Sequence, residues 1–350
     1  MQVQNKAQRR RRLAHGAVGV AVIMVGLLSG GATAGAAPTF CDVDQNCAAG
    51  ELCVRNACLA PECLAADTCA KGELCLAYRC QRPSCRGAQD CSGEMRCLDG
   101  VCQPPLAEIV GADRREMVLV RGGAFLMGSS AETAVSDEKP AHWVELDAFW
   151  LDRYEVRVAD FMRCVDAGAC ALTGLLTAAE EPRCNYGSAD GAGRPMNCVA
   201  WDGAATYCAW AGKRLPTEAE WERAAGGGQG YTYVWGNAPP HCDRVCRKDK
   251  DDGCGSGRTC LSGEKTGDVS PVGAYDMGGN VGEWVADWYD ATYYRSAPRL
   301  RPRGPETGER KVVRGGDFTN LYDPFRLVTR NRLIPTYRSV TVGFRCARDL

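Results

Sequence analysis

Along its second half the chain alternates short apolar runs with polar, glycine-rich breaks. Met117-Val-Leu-Val120 and Ala124-Phe-Leu-Met-Gly128 flank Gly122-Gly123 and predict two strands around a turn. Trp143 to Trp150 alternates apolar and polar positions and predicts one further strand. Val158 to Ala167 has the spacing of an amphipathic helix and stops at Gly168. Asp202 is placed to cap a helix that runs through Ala211 and ends at Gly212. Thr217-Glu-Ala-Glu220 is a capping box, opening a helix that carries Trp221 and stops at Gly226-Gly-Gly228. Few helices, short strands and many turns point to an α+β fold.

The first residues follow another pattern. Arg9 to Arg12 form a basic stretch, Ala17 to Leu28 an apolar run of 12 residues, and Ala34-Gly35-Ala36 a small-residue cleavage site. A membrane helix needs about 20 apolar residues, so 1–36 is expected to be a signal peptide that is removed. Its loss takes away five basic residues and no acids and moves the formal charge from -1 to -6. An acidic mature chain argues against nucleic acid as a partner. No second apolar stretch is long enough to span a membrane. The expected location is periplasmic, cell-surface or extracellular.

Cysteine usage agrees with export. There are 22 cysteines, 12 of them between residues 41 and 102, where C-x5-C-x5-C-x4-C occurs three times at a period of 22 residues. Units this small bury too little to fold on a core, so disulfides are expected to hold them. First-to-third and second-to-fourth pairing is one of three connectivities open to each unit. Zinc is disfavoured, because the steps are long and the region has no histidine. The expected organisation is a signal peptide over 1–36, three cysteine-rich repeats over 38–103, a linker over 104–115 and one domain over 116–350. Among the domain's ten cysteines, spacing suggests neighbouring pairs such as Cys164–Cys170.

The domain carries ordered motifs: Phe125-Leu-Met-Gly128, Tyr154-Glu-Val156, Val199-Ala-Trp201, the run Trp210 to Glu222, Val234-Trp-Gly236, Asp276-Met-Gly-Gly-Asn-Val-Gly-Glu-Trp284, Arg314-Gly-Gly316 and Gly343-Phe-Arg345. In this order they resemble the formylglycine-generating enzymes, or sulfatase-modifying factors. The resemblance covers about residues 117–350. It implies a C-type-lectin-like α+β domain and a calcium ion. The matching calcium positions are Asp276, Gly279, Val281 and Glu283, with the two carboxylates as side-chain ligands and the other two residues giving backbone carbonyls, as a hard cation requires. A second family site would use Asp243, but loop 242–268 diverges and the site is not carried over. The resemblance also implies a Cys208–Cys346 disulfide.

The copper chemistry of that family does not carry over. Its two cysteines fall at Asn320 and Phe325, its serine after Arg-Gly-Gly is Asp317, and its tryptophan before Glu-Trp is Gly282. Cu(I) prefers thiolates, and neither replacement is one. Copper is therefore not expected, and calcium is. Asp317, Asn320, Tyr322, Asp323 and Arg326 could form a new acid–base cluster, or a turn rich in Asn, Asp and Pro. Once His15 leaves with the signal, only His142 and His241 remain, too few for the three-histidine iron site of some relatives. The expectation is an exported, calcium-stabilised module that binds a peptide, glycan or protein without oxidase activity. The alternative is an oxidoreductase of the formylglycine-generating or pyoverdine-maturation type acting on a peptide-derived substrate.

Overall fold

The computed structural model describes residues 111–173, 175–226, 230–248, 257–320 and 325–350, together with the backbone of seven short strands between residues 52 and 110. Six of these form hairpins: β1 (Leu52–Val54) with β2 (Ala57–Leu59), β3 (Leu74–Leu76) with β4 (Arg79–Gln81), and β5 (Arg96–Leu98) with β6 (Val101–Gln103). Each sets a unit's third and fourth cysteines directly opposite each other: Cys53 and Cys58, Cys75 and Cys80, Cys97 and Cys102. The cysteine side chains of these units, and with them the expected pairing, lie outside the described residues, as does the signal segment.

The seventh strand, β7 (Ala107–Val110), corrects the expected linker. It pairs antiparallel with β8 (Arg115–Val120), so the domain begins within 104–115. Burial explains why. Asp113 is inaccessible and meets the Lys213 ammonium at 2.8 Å, which also holds Asp152 at 2.8 Å.

The expected strands on either side of Gly122-Gly123 both form, but they do not pair with each other. β9 (Gly123–Met127) pairs with β10 (His142–Leu146), whereas β8 pairs with β11 (Phe149–Asp152). The stretch 143–150 is therefore two strands, because the chain changes sheet at Asp147-Ala148. The crossing is close: a Cβ at Gly122 would sit 2.7 Å from the Ala148 nitrogen, so only glycine fits.

Helix α1 (Val158–Asp166) ends as expected, with Gly168 at φ 73°. Helix α2 (Trp201–Trp210) starts one residue before its expected cap, and Asp202 lies in the first turn, accepting the Gly203 N–H at 2.9 Å. Helix α3 (Glu218–Gly226) carries the capping box as read: Thr217 Oγ1 accepts the Glu220 N–H at 3.1 Å, and Glu220 accepts the Thr217 N–H at 2.8 Å. Thr217→Ala should lower stability by about 1 kcal/mol in a urea melt, and an unchanged midpoint would count against this cap.

The second half supplies β12 (Gly282–Trp288), β13 (Lys311–Arg314), β14 (Arg330–Leu333), β15 (Val342–Gly343) and β16 (Ala347–Asp349). One four-stranded sheet runs β16-β11-β8-β7 and another β14-β13-β12-β15, where only the β12–β15 pair is parallel. β12 is buried on both faces and separates two cores. Val285 joins the core with Val118, Phe149, Trp221 and Val312, while Trp284 joins Phe161, Tyr207, Phe344 and Cys346. The alternation of a strand sends successive side chains to opposite faces, so both cores meet at one element. This arrangement, helices beside separate small sheets, is α+β as expected.

Candidate functional site

Three buried assemblies converge on the Arg314-Gly-Gly316 turn. The first is an ion-pair lattice on α3. Glu218 accepts from Arg314 at 2.9 Å and from Arg330 at 2.7 and 2.9 Å, and the Tyr294 hydroxyl donates to it at 3.1 Å. Glu222 accepts from Arg314 at 2.6 Å and from the Gly128 N–H at 2.8 Å. The helix period turns both glutamates inward, where two guanidiniums balance their charge. Burial pushes Glu218 up, but Arg330 and Arg314 outweigh it and hold its carboxyl below the ordinary range. Burial pushes Tyr294 well up, with Glu218 adding to the effect, so its hydroxyl stays protonated. His142, whose ring lies 4.6 Å from that of Tyr294 and tilted against it, is held below its ordinary value by burial.

The second assembly is formed by residues 316–320 and Phe325, where the family's copper cysteines would lie. Backbone hydrogen bonds lay it along two neighbours: Gly316 N–H on Gly278 O, Phe318 N–H on Asn280 O, and Lys248 N–H on Asn320 O. Phe318 packs on the Cys246–Cys260 disulfide. Phe325 is 1% exposed and presses on the two glycine turns, because a Cβ at Gly316 would lie 2.6 Å from its ring. Asn320 accepts the Asp317 N–H at 2.8 Å, and one Asp317 oxygen takes both the Thr319 N–H at 2.8 Å and its hydroxyl at 2.5 Å. These bonds make Asp317 and Asn320 a local turn. Burial raises the Asp317 carboxyl, and its Thr319 and Asn320 donors oppose the rise. Arg326 leaves this loop for Glu138, with contacts of 2.9 and 2.7 Å. Tyr322 and Asp323 lie outside the described residues. Gly282 sits in β12, where a Cβ would already meet Val313 at 3.0 Å.

The third assembly holds the expected calcium residues. Glu283 is spanned by Arg345 at 2.7–2.9 Å and also accepts the Trp221 indole N–H at 2.8 Å. Asp276 takes a left-handed φ of 57° and gives one oxygen to the Gly263 N–H, and its other oxygen is buried without a hydrogen-bond donor. Burial pushes its carboxyl up to about 7, against the Gly263 donor and Arg345. Glu155 and Asp268 surround it, both inaccessible and both raised, first by burial and then by the Asp276 charge. Among the described residues no three acidic, histidine or cysteine side chains converge as a metal-ligand set. Asp243 is 92% exposed beside His241 and builds no site.

Sequence reasoning quoted Glu155 and Arg345 inside their motifs without giving either a role, and it passed over Asp268, Tyr294 and Arg330. An acid or arginine inside an apolar motif was the signal available for the first two.

Residues 106–350 match the sulfatase-modifying factor enzyme 1-like domain. The chain belongs to the sulfatase-modifying factor family. It is 34% identical over 282 residues to a formylglycine-generating enzyme of Streptomyces coelicolor, covering 67% of this chain and 90% of that one. It is also 36% identical over 247 residues to the serine/threonine-protein kinase Pkn1 of Chlamydia trachomatis, where the match takes 67% of this chain but only 38% of the kinase. Among solved structures, PvdO from Pseudomonas aeruginosa matches with a TM-score of 0.59 and 27% identity, over 71% of this chain and 99% of PvdO.

The disulfides follow expectation in most of the domain. Cys208–Cys346 and Cys164–Cys170 form, and Cys184 joins Cys198. Cys246 joins Cys260 rather than its near neighbours, because the fold brings loop 257–262 under Phe318. No described cysteine is free, and no described helix is long and apolar enough to cross a membrane.

Proposed function

We propose that this chain is an exported, non-oxidase member of the sulfatase-modifying factor family. Its C-type-lectin-like domain binds a peptide, glycan or protein, and the cysteine-rich repeats present it as a stalk. The observation that carries this reading is Phe325. At a position where the resemblance calls for a copper thiolate, a buried aromatic ring fills the space between Gly316 and Gly279. Asn320 is committed to the adjoining turn, and a soft cation gains nothing from its amide oxygen.

Calcium stabilises the domain in this reading. The buried Asp276 oxygen without a donor suits a hard cation, and the resemblance would add the backbone carbonyls of Gly279 and Val281. Glu283 suits that role less well, because Arg345 and Trp221 already engage both its oxygens.

The deciding experiment incubates the oxidised mature protein with Cu(I), oxygen and a sulfatase-type cysteine peptide, and weighs the peptide by mass spectrometry. The expected result is an unchanged thiol, beside conversion by an ordinary formylglycine-generating enzyme. An aldehyde product would replace this reading with the oxidoreductase one. That second reading has its own support in Asp317, whose carboxyl burial raises above its ordinary value at the position after Arg314-Gly-Gly316.

A further inference from the structure

The sheet of β9 and β10 gains a third member. The backbone of Arg299, Leu300 and Arg301 lies parallel to β10, with the Glu145 N–H donating to the Arg299 carbonyl at 2.8 Å and the Arg301 N–H to the Glu145 carbonyl at 2.9 Å. Strand alternation then sorts the side chains. Phe125, Met127, Val144 and Leu146 enter the core. On the opposite face Leu126 stands across from Trp143, and Glu145 lies between Ala124 and Leu300. Leu126 is 45% exposed and Leu300 is 39% exposed, with Trp143 half-buried beside Leu126. Three large apolar side chains on one solvent face of one sheet make a patch, which single scattered leucines would not.

The edge of that face is basic. Residues 291–305 hold Arg295, Arg299, Arg301 and Arg303 and no acid. Arg295, Arg301 and Arg303 are exposed, while Pro302 is buried and pins the segment between the last two. Arg301 meets Asp147 at 3.0 Å, at the end of β10, in a pair whose partners are both more than half exposed. Such a pair holds the arginine only weakly. Asp349 takes its hydrogen bonds from Arg214, and the Arg303 charge is the smallest influence on its carboxyl. The arginines are therefore open to an anionic partner.

We infer that the face built by β9, β10 and residues 299–301 docks reversibly on a membrane surface rich in anionic lipid. Charge complementarity selects an anionic partner, and the apolar patch selects lipid among such partners. A soluble polyanion would engage the arginines and leave Leu126 and Leu300 in water. At a lipid surface the leucines and Trp143 enter the acyl boundary while the arginine heads stay at the phosphates. The acidic total of the mature chain does not oppose this, because charges beyond about 8–10 Å are screened at physiological salt and the arginines act locally. The contact does not depend on what Asn320 and Phe325 do.

The test is co-sedimentation of the mature chain with vesicles of equal parts phosphatidylglycerol and phosphatidylcholine, and with phosphatidylcholine alone. Near-ultraviolet dichroism verifies the fold of each variant, and dextran sulfate serves as the soluble polyanion. The wild-type chain is expected to bind the anionic vesicles, to bind the neutral ones at least about tenfold less well, and to be released by salt. Arg295→Gln with Arg303→Gln should weaken binding about twentyfold, since each basic side chain near an anionic surface contributes about fivefold. Leu126→Thr with Leu300→Thr should weaken it at least about tenfold, because the patch no longer gains from leaving water. Leu300→Thr alone, expected to cost about fivefold, carries the test if the double variant does not fold. No binding to anionic vesicles would overturn the inference. Full binding by the folded leucine variants would also overturn it, leaving a contact of charge alone. Dextran sulfate bound as tightly as the vesicles, with the leucine variants unaffected, would reassign the arginine edge to a soluble polyanion.

Discussion

Replacing Arg345 by methionine is expected to cost about 3–5 kcal/mol or to prevent folding, the range found when one partner of a buried ion pair is removed. Arg345 is inaccessible, and its five donors bind Glu283 together with the carbonyls of Asp152, Arg153 and Tyr275. Methionine fills similar volume but supplies neither the charge nor the donors. Four buried carboxylates would then lack their central guanidinium, and three backbone carbonyls would lose their partner. A urea melt with calcium held constant reads the loss. Adding Glu283→Gln to the same chain should recover part of it, since the acid left unpaired is then neutral. A loss below about 1 kcal/mol would show the pair to be solvated and the assembly less dry than described.

Converting Cys208 and Cys346 to alanine together should lower stability by at least as much. The bridge closes 138 residues and ties α2 to the segment between β15 and β16. For a loop of that length the chain-entropy account gives about 5 kcal/mol. For a domain of this size that corresponds to a fall in Tm of about 10–20 °C. Both residues are inaccessible in the core with Phe161, Tyr207 and Phe344, so the small cavity left by alanine adds to the loss. The Cys164–Cys170 pair is the internal comparison. It closes only six residues at the end of α1, and its removal should cost less. If the two losses were equal, native-state strain rather than unfolded-chain entropy would govern both.

The candidate site was legible to different depths. The motif order located the Arg-Gly-Gly turn, α3 and the Gly-Phe-Arg end, and the structure joins them through Arg314, Glu218, Glu222, Trp221 and Arg345. Asn320 and Phe325 were marked as replaced thiols from residue identity alone. How they are accommodated was not readable: Phe325 is held by two glycines, and Asn320 by an amide three residues away and a backbone contact to Lys248. For calcium, matching positions put Asp276 and Glu283 on an equal footing. Their surroundings separate them, because a guanidinium 62 residues along the chain has taken Glu283 and none has taken Asp276.

What the sequence determined by itself is whatever depends on neighbours along the chain. The capping box of α3, the glycine stops of α1 and α2, and the Cys164–Cys170 bridge all form within a few residues, where spacing alone sets the geometry. The motif series likewise identified the family, because it records residue types in order. The tertiary structure decided everything that depends on partners distant in sequence. It split 143–150 between two sheets, drew residues 107–115 into the domain, and paired Cys246 with Cys260. It also assigned Arg345 to Glu283 and left Asp276 with an unmatched oxygen. The physical reason is the same in each case. Strand pairing, burial and charge compensation are set by which groups share a dry interior, and a linear pattern shows that a residue can be buried without showing what will be buried beside it.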